Sequence, residues 1–489
     1  MKVTYADGFA EEVISRDDYS LGQAVNFLDG KTIAVLGYGR QGSGQAQNLR
    51  DTIAQVGGNV NVILGQRQTR PDGEESASYT QALEDGWVPR ETLFDLETAT
   101  GMGDVVCYLL PDAEQVEHWA KVRDNLQGNS TLLFSHGFGP GFPDQTGIIT
   151  PSDVNEVLFA PKGAGWTVRR NFVKGSGISA SYAVGQDATG DARDIVLSYG
   201  RLAGAAYLFE TTIRKEVTSD LFGERFVLLG GIWGLAEAFY DFLRQGGVGE
   251  DEAFLFSSET LTQGYLPMIG EIGIEGVYEY ARQDGTLSIV LQAQQFVRDG
   301  LTDLIEGLYS NVVSGGEVAR VLSANGVSNY QDALQTELNT IDSAEMWQVA
   351  KRARSMRGAD DRITEPNSPI LLGALLGMIE LQARVLIEHG HSPSEAFNET
   401  VEELTQSLNL IYQDTGIAGL VGKCSTTAQR GTLDWGPKIK EYTLRLLGEN
   451  YALIDTDYVP KPLEQELTLT MKTLIDAGQR LRNLRPERL

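Results

Sequence analysis

Two pairs of carboxylates spaced four residues apart, Asp220/Glu224 in DLFGE and Glu399/Glu403 in NETVEE, carry the clearest chemistry in this chain. Both fall where composition predicts helix, so each pair projects from one helical face. Like charges at that spacing repel by roughly 0.2–0.5 kcal/mol. Two such pairs beside apolar segments therefore point to a cation that satisfies them. An all-oxygen donor set suits magnesium, a hard ion.

A second group lies upstream. KTIAVL reads as a strand running into GYGRQGSG, where Gly37, Gly39 and Gly42 form G-x-G-x-x-G and Gly44 follows, before the helical stretch AQNLRDTIAQV. Glycines at these places permit the tight turn and let a pyrophosphate approach backbone N–H groups at a helix N-terminus, the arrangement of a dinucleotide site. The next strand ends LGQRQTR, without the Asp or Glu that would bind a ribose 2′-hydroxyl. Arg67 is placed to grip a 2′-phosphate, with Arg70, Ser76 and Ser78 as further candidates, so NADPH is expected over NADH. His136 after TLLFS and Lys162 in APKGAG both follow strands, at the edge where open α/β sheets bind ligands. No G-x-S-x-G elbow is present, and two cysteines far apart fit neither a zinc site nor a disulfide framework.

The elements that position these groups divide the chain. Up to about residue 211, KTIAVLG, NVNVILG, DVVCYLL, TLLFSHG, EVLFAPKG and ISASYAVGQ alternate with helical stretches, which predicts a doubly wound parallel sheet. Beyond it the pattern becomes long helices, interrupted by the polar RGADDRITEPNSP from Arg357. A shift of 143 positions, carrying Leu228 onto Leu371, aligns LLGGIWGLAEAFYDFLRQGG with LLGALLGMIELQARVLIEHG, and without a gap brings the two EAF and the two LTQ triplets into register. The domains expected are 1–211, then two helical copies, 212–356 and 357–489. The acids do not follow the repeat: Asp220 and Glu224 map to Ile363 and Asn367, while Glu399 and Glu403 map back to Phe256 and Thr260. Each copy holds one pair and lacks the other, which is explained if both pairs converge on one site.

Length and charge bound the alternatives. At 489 residues the chain is too long for one core. A net charge of −27 argues against nucleic acid as partner. The most apolar stretch, ILLGALLGMIELQARVL, meets Glu380 and Arg384 too soon for a membrane span and reads as a buried helix. The acidic N-terminus MKVTYADGFAEEV does not read as a leader, and the expected location is cytoplasmic.

GYGRQGSGQAQNLRD, LLPDAEQ, SHGF, APKGAGWTVRR, QDATG, DLFGERFVLLGG and CSTTAQRG together resemble the ketol-acid reductoisomerase family, in order and over nearly the whole chain. The resemblance is to the long, duplicated, plant-like form. It implies a Rossmann domain followed by an all-α knotted domain, internally duplicated, and Mg-dependent alkyl migration in a 2-hydroxy-2-alkyl-3-oxo acid followed by reduction by NADPH. By the same resemblance Asp220 bridges two Mg2+, Glu224 completes the first ion's ligands, and Glu399 and Glu403 serve the second ion and the substrate. Ser425 matches the serine that binds substrate carboxylate, and His136 and Lys162 the polar residues beside the reacting atoms. Tyr38, Gly39, Arg40, Gln41, Arg67, Ser76, Ser78, Asp112 through Gln115 and Gly165 match the cofactor positions. Glu403 is a candidate acid for the product oxygen, and His136 for the first proton transfer. Gly185 stands where the family commonly has histidine. The family also implies a homo-oligomer, a dimer or tetramer. Two rival readings are a metal-free NADPH-dependent hydroxy-acid dehydrogenase and a non-catalytic NADPH sensor; neither calls for the acid pairs.

Overall fold

The computed structural model describes residues 1–69, 73–326, 330–356, 363 and 365–486. The chain divides into two units: Met1–Thr4 with Ala10–Val217 and the segment from Leu481, and Tyr5–Phe9 with Thr218–Arg480.

The first unit is built on one ten-stranded sheet. Its strands are β1 Lys2–Thr4, β2 Ala10–Ser15, β3 Thr32–Leu36, β4 Asn61–Gly65, β5 Leu93–Phe94, β6 Val105–Tyr108, β7 Thr131–Phe134, β8 Asn155–Pro161, β9 Ala180–Gln186 and β10 Tyr207–Glu210, in the order β1-β2-β10-β9-β8-β7-β6-β3-β4-β5. From β5 to β8 every neighbouring pair is parallel. The order reverses at β3, which pairs with both β4 and β6. That reversal is the switch point beyond which α/β sheets bind ligands. Ile33, Ala34, Val35 and Leu36 are all fully buried, as expected of a strand covered on both faces.

Sequence reading places β9 in the parallel sheet, and the structure corrects this: β9 runs antiparallel to β8, with Pro161 opposite Ala180. The helices that matter here are α1 Arg40–Val56, α2 Asp112–Asn125 and α3 Gly165–Val173. The nine-residue α3, between β8 and β9, packs on α1 instead of returning along the sheet. β9 therefore starts beside the end of β8. The short strands β1, β2, β5 and β10 carry too little pattern to be read from sequence.

The division between units falls within α4, Ile213–Arg225. The second unit is helical and shows the repeat in its backbone. The first copy has α5 Gly230–Gln245, a short helix Glu250–Phe254, a π-helical segment Leu255–Tyr265, α6 Leu266–Gln283 and α7 Leu287–Val313. The second has α8 Pro369–Glu388, a short helix Pro393–Phe397, π-helical turns Asn398–Glu402 and Leu404–Leu408, α9 Asn409–Gly422 and α10 Thr426–Asn450. The same 143-position shift relates the short helices and the π-helical stretches end to end. It also carries Gly273, φ 77°, onto Gly416, φ 67°, the non-helical kinks inside α6 and α9. With ψ of 172° and −173°, both lie in a region open essentially to glycine alone.

The copies are not packed side by side. Each long helix seats on the apolar helix of the other copy, α7 on α8 and α10 on α5. The contacts are close enough to require glycine. A Cβ at Gly234 would lie 2.8 Å from Lys440 N and 2.9 Å from Gly436 O, and one at Gly373 would lie 2.6 Å from the Ala293 Cβ. α5 and α8, both strongly apolar and mostly buried, are thus core elements, and each copy completes the core of the other.

Candidate cofactor site and candidate metal centre

In the first unit, β3 ends at Leu36 and α1 begins at Arg40, with Gly39 as its N-cap. Gly37 takes φ 95°, and a Cβ on Gly42 would collide with its carbonyl oxygen. The loop therefore turns tightly and leaves the N-terminus of α1 able to receive a phosphate. Gly165, the first residue of α3, packs against the Arg40–Gln41 backbone so closely that a Cβ there would collide with it. Gln41 Nε2 donates to Gly163 O at 3.1 Å.

Several predicted cofactor residues face inward. Tyr38 is buried, donating to Asp85 Oδ2 at 2.7 Å and accepting from Trp87 Nε1 at 3.0 Å, while its backbone N–H donates to Gln66 Oε1 at 2.8 Å. Gln115 is also buried and donates to the carbonyls of Tyr108, at 3.2 Å, and Leu110, at 2.9 Å. Ser76 is the buried N-cap of the helix Ala77–Glu84 and accepts from Gln66 Nε2 at 3.3 Å; Ser78 lies in that helix's first turn. Arg67 follows β4 and pairs with Glu114 at 3.2 Å, both about a third exposed. Arg70 lies outside the described residues.

His136 follows β7, with Nδ1 3.3 Å from Asp112 Oδ1. Lys162 follows β8 and is buried, its Nζ 3.3 Å from Glu216 Oε1. Glu216 Oε2 accepts from the Gly137 N–H at 2.7 Å. One carboxylate thus joins the ends of β7 and β8. Sequence reading missed Glu216, although the signal was present: it precedes Asp220 by one helical turn, extending the spacing-four series 216, 220, 224 along α4. At Gly185 the structure explains the missing histidine, because a Cβ there would collide with the Glu156 carboxylate.

In the second unit, ligand atoms of Asp220, Glu399 and Glu403 all lie within 4.8 Å of one another; Glu399 and Glu403 are buried and Asp220 partly so. α4 brings the first, the π-helical turn Asn398–Glu402 the second, and the residue between the two π-helical turns the third. Glu224 is outside that group of three and lies 3.4 Å from the buried Arg225, whose Nε donates to Glu317 at 2.6 Å. Part of the charge on the first pair is therefore met by an arginine. Gln382, a residue the sequence did not single out, fixes the gap between the elements. Its Oε1 accepts from Val227 N at 2.9 Å, just past α4, and its Nε2 donates to Glu399 O at 2.6 Å. Gly223 leaves room for the acid, since a Cβ there would lie 3.2 Å from Glu399 Oε2. Three gathered carboxylates are a donor set for a hard cation, and without one their mutual repulsion in a buried setting is costly. Ser425 caps α10, its Oγ accepting from Ala428 N at 3.0 Å, which leaves the hydroxyl proton to donate.

Sequence models of two domains match the chain: acetohydroxy acid isomeroreductase, NADPH-binding domain, over residues 27–207, and ketol-acid reductoisomerase, C-terminal domain, over 213–359 and again over 368–485. The ketol-acid reductoisomerase (NAD(+)) of Desulfosudis oleivorans is 42% identical over 350 residues, spanning 72% of this chain and 96% of that protein. The chloroplastic ketol-acid reductoisomerase of Pisum sativum is 33% identical over 445 residues, 89% of this chain and 74% of that one. The solved structure of an NADH-preferring ketol-acid reductoisomerase from an uncultured archaean matches with a TM-score of 0.61 at 25% identity, covering 71% of this chain and 99% of its own. The helical domain is matched twice, where the backbone itself repeats, and the chain belongs to the ketol-acid reductoisomerase family in its long, duplicated form.

Proposed function

We propose that this chain converts 2-acetolactate or 2-aceto-2-hydroxybutyrate into the corresponding 2,3-dihydroxy-3-alkyl acid, in the biosynthesis of valine, isoleucine and leucine. The observation that carries this reading is the gathering of Asp220, Glu399 and Glu403 within 4.8 Å in a chain that also builds a dinucleotide loop. Oxygen donors alone, partly or wholly buried, fit magnesium, and Asp220, Glu224, Glu399 and Glu403 would hold two such ions. Bound there, the ions would act as Lewis acids on the hydroxyl and keto oxygens of the substrate.

The residues supply the rest. The C2 hydroxyl loses its proton, with His136 as the candidate base, as the alkyl group moves with its bonding pair to C3 and the C3 oxygen takes up a proton. The new C2 carbonyl carbon then accepts hydride from the nicotinamide and its oxygen a proton, for which Glu403 is the candidate donor. Ser425 donates to the substrate carboxylate, held in one rotamer by its bond from Ala428 N. Lys162, held by Glu216 at 3.3 Å, positions polar groups at the sheet edge.

NADPH is the reductant we propose, supported by the absence of an acid at the end of β4 and by Arg67. The two helical copies, 212–356 and 357–489, are proposed to follow the knotted path of the family, which the reciprocal seating of α7 and α10 supports. A homodimer or tetramer in the cytoplasm completes the reading. The test is oxidation of NADPH with 2-acetolactate, with and without magnesium. Strict magnesium dependence is expected. Turnover without the metal favours a simple dehydrogenase, and well-folded protein without turnover favours a sensor.

A further inference from the structure

Behind the carboxylates lies a buried polar chain that the reaction does not itself use. Ser219 Oγ donates to Glu395 Oε1 at 2.9 Å. His391 Nδ1 lies 3.0 Å from Glu395 Oε2, and its Nε2 3.0 Å from Tyr309 Oη. Ser219, Glu395 and His391 are all at most 2% exposed. Burial beside Glu395 and Glu306 pushes the Tyr309 phenol up to about 12, so it remains a donor toward His391. Ser219 immediately precedes Asp220, and Glu395 precedes Glu399 by four residues. The chain therefore ties the two segments that carry the metal acids at a point next to both.

The repeat shows that the fold does not require this. The EAF triplet is present in both copies, yet the shift carries Glu395 onto Glu252, which is exposed, and His391 onto Val248. Burying a carboxylate costs several kcal/mol unless it is well paired, and at this position only the copy that retains Glu399 and Glu403 does so. We infer that Glu395 is a positioning residue for the metal centre: clamped between Ser219 and His391, it sets the spacing between Asp220 on α4 and the π-helical turns of Glu399 and Glu403. The inference rests on the metal-dependent reading above.

Binding of Mn2+ to the purified full-length chain, followed by the electron paramagnetic resonance signal of the free ion, tests it without turnover. Ser219→Ala and Glu395→Gln are expected to weaken Mn2+ binding about tenfold, the range for residues that orient metal ligands. Ser219→Thr restores it, Glu252→Gln leaves it unchanged, and NADPH binding is unaffected throughout. Unchanged Mn2+ affinity in Ser219→Ala, even with a lower melting temperature, overturns the inference by making the chain purely structural. Should Glu395→Gln fail to fold, Ser219→Ala decides alone. Wild-type protein that binds no Mn2+ overturns the metal-centre reading itself, and the inference with it.

Discussion

In the first copy of the helical repeat the π-helical segment Leu255–Tyr265 carries Phe256 and Thr260; in the second, the matching positions hold Glu399 and Glu403. Wide π-helical turns are rare and frequent at functional sites. Here the copy that lacks acids at these two positions has a π-helical segment over the matching residues. The turn was therefore inherited with the fold, and the acids were kept or lost on top of it. In the first copy the Thr260 hydroxyl donates to the carbonyl of Leu255 at 2.7 Å, turning the position inward to its own helix. Gln382, which holds Glu399, likewise has Phe239 as its counterpart. Backbone geometry is common to both copies; at these matched positions the acids and their support belong to the second, while Asp220 comes from the first.

The strongest way to break this comparison is to remove an acid. Asp220→Asn or Glu399→Gln is expected to lower kcat on the order of 10³-fold, the loss of several kcal/mol of Lewis-acid stabilisation, whereas Thr260→Ala leaves kcat unchanged. A comparable loss in Thr260→Ala would mean that the π-helical segment of the first copy also takes part in the chemistry. Next in size, Ser425→Ala removes a hydrogen bond to a charged group worth about 1.5–3 kcal/mol. KM for 2-acetolactate should rise at least about tenfold with less change in kcat; an unchanged KM removes Ser425 from the substrate site.

The shared geometry makes its own prediction. Gly273→Ala and Gly416→Ala each force a side chain into a region reserved for glycine, at about 1–3 kcal/mol, and should lower the melting temperature by similar amounts. Unequal shifts, measured by calorimetry, would show that the two kinks are not equivalent. The smallest effect concerns the first unit, where Arg67 is shared with Glu114. Arg67→Ala is expected to lower kcat/KM for NADPH about tenfold and hardly change that for NADH. Glu114→Gln, by freeing the guanidinium, should raise the NADPH preference a few-fold. A wild-type preference for NADH would instead place this chain with its NAD-named relatives.

Much of the fold was legible in particular residues. KTIAVLGYGRQGSG implies strand, turn and helix because glycine spacing and an unbroken apolar run leave few alternatives, and the structure has β3 and α1 there. β9 was misassigned because strand direction depends on where α3 packs, and no residue in ISASYAVGQ encodes that. Glu216 was passed over because a single glutamate on a helix most often faces solvent; only the placement of Lys162 and Gly137 shows that it is buried.

Composition, the glycine loop, the acid pairs and the 143-residue shift were available from the sequence alone, since each is a matter of residue type and spacing along the chain. The tertiary structure decided which acids meet. Asp220 and Glu399 are 179 positions apart, and their approach depends on α7 and α10 crossing between copies, on Gln382 bridging two elements, and on Gly223 leaving space. Those are contacts between surfaces far apart in sequence. Their distances follow from packing, which no local pattern records.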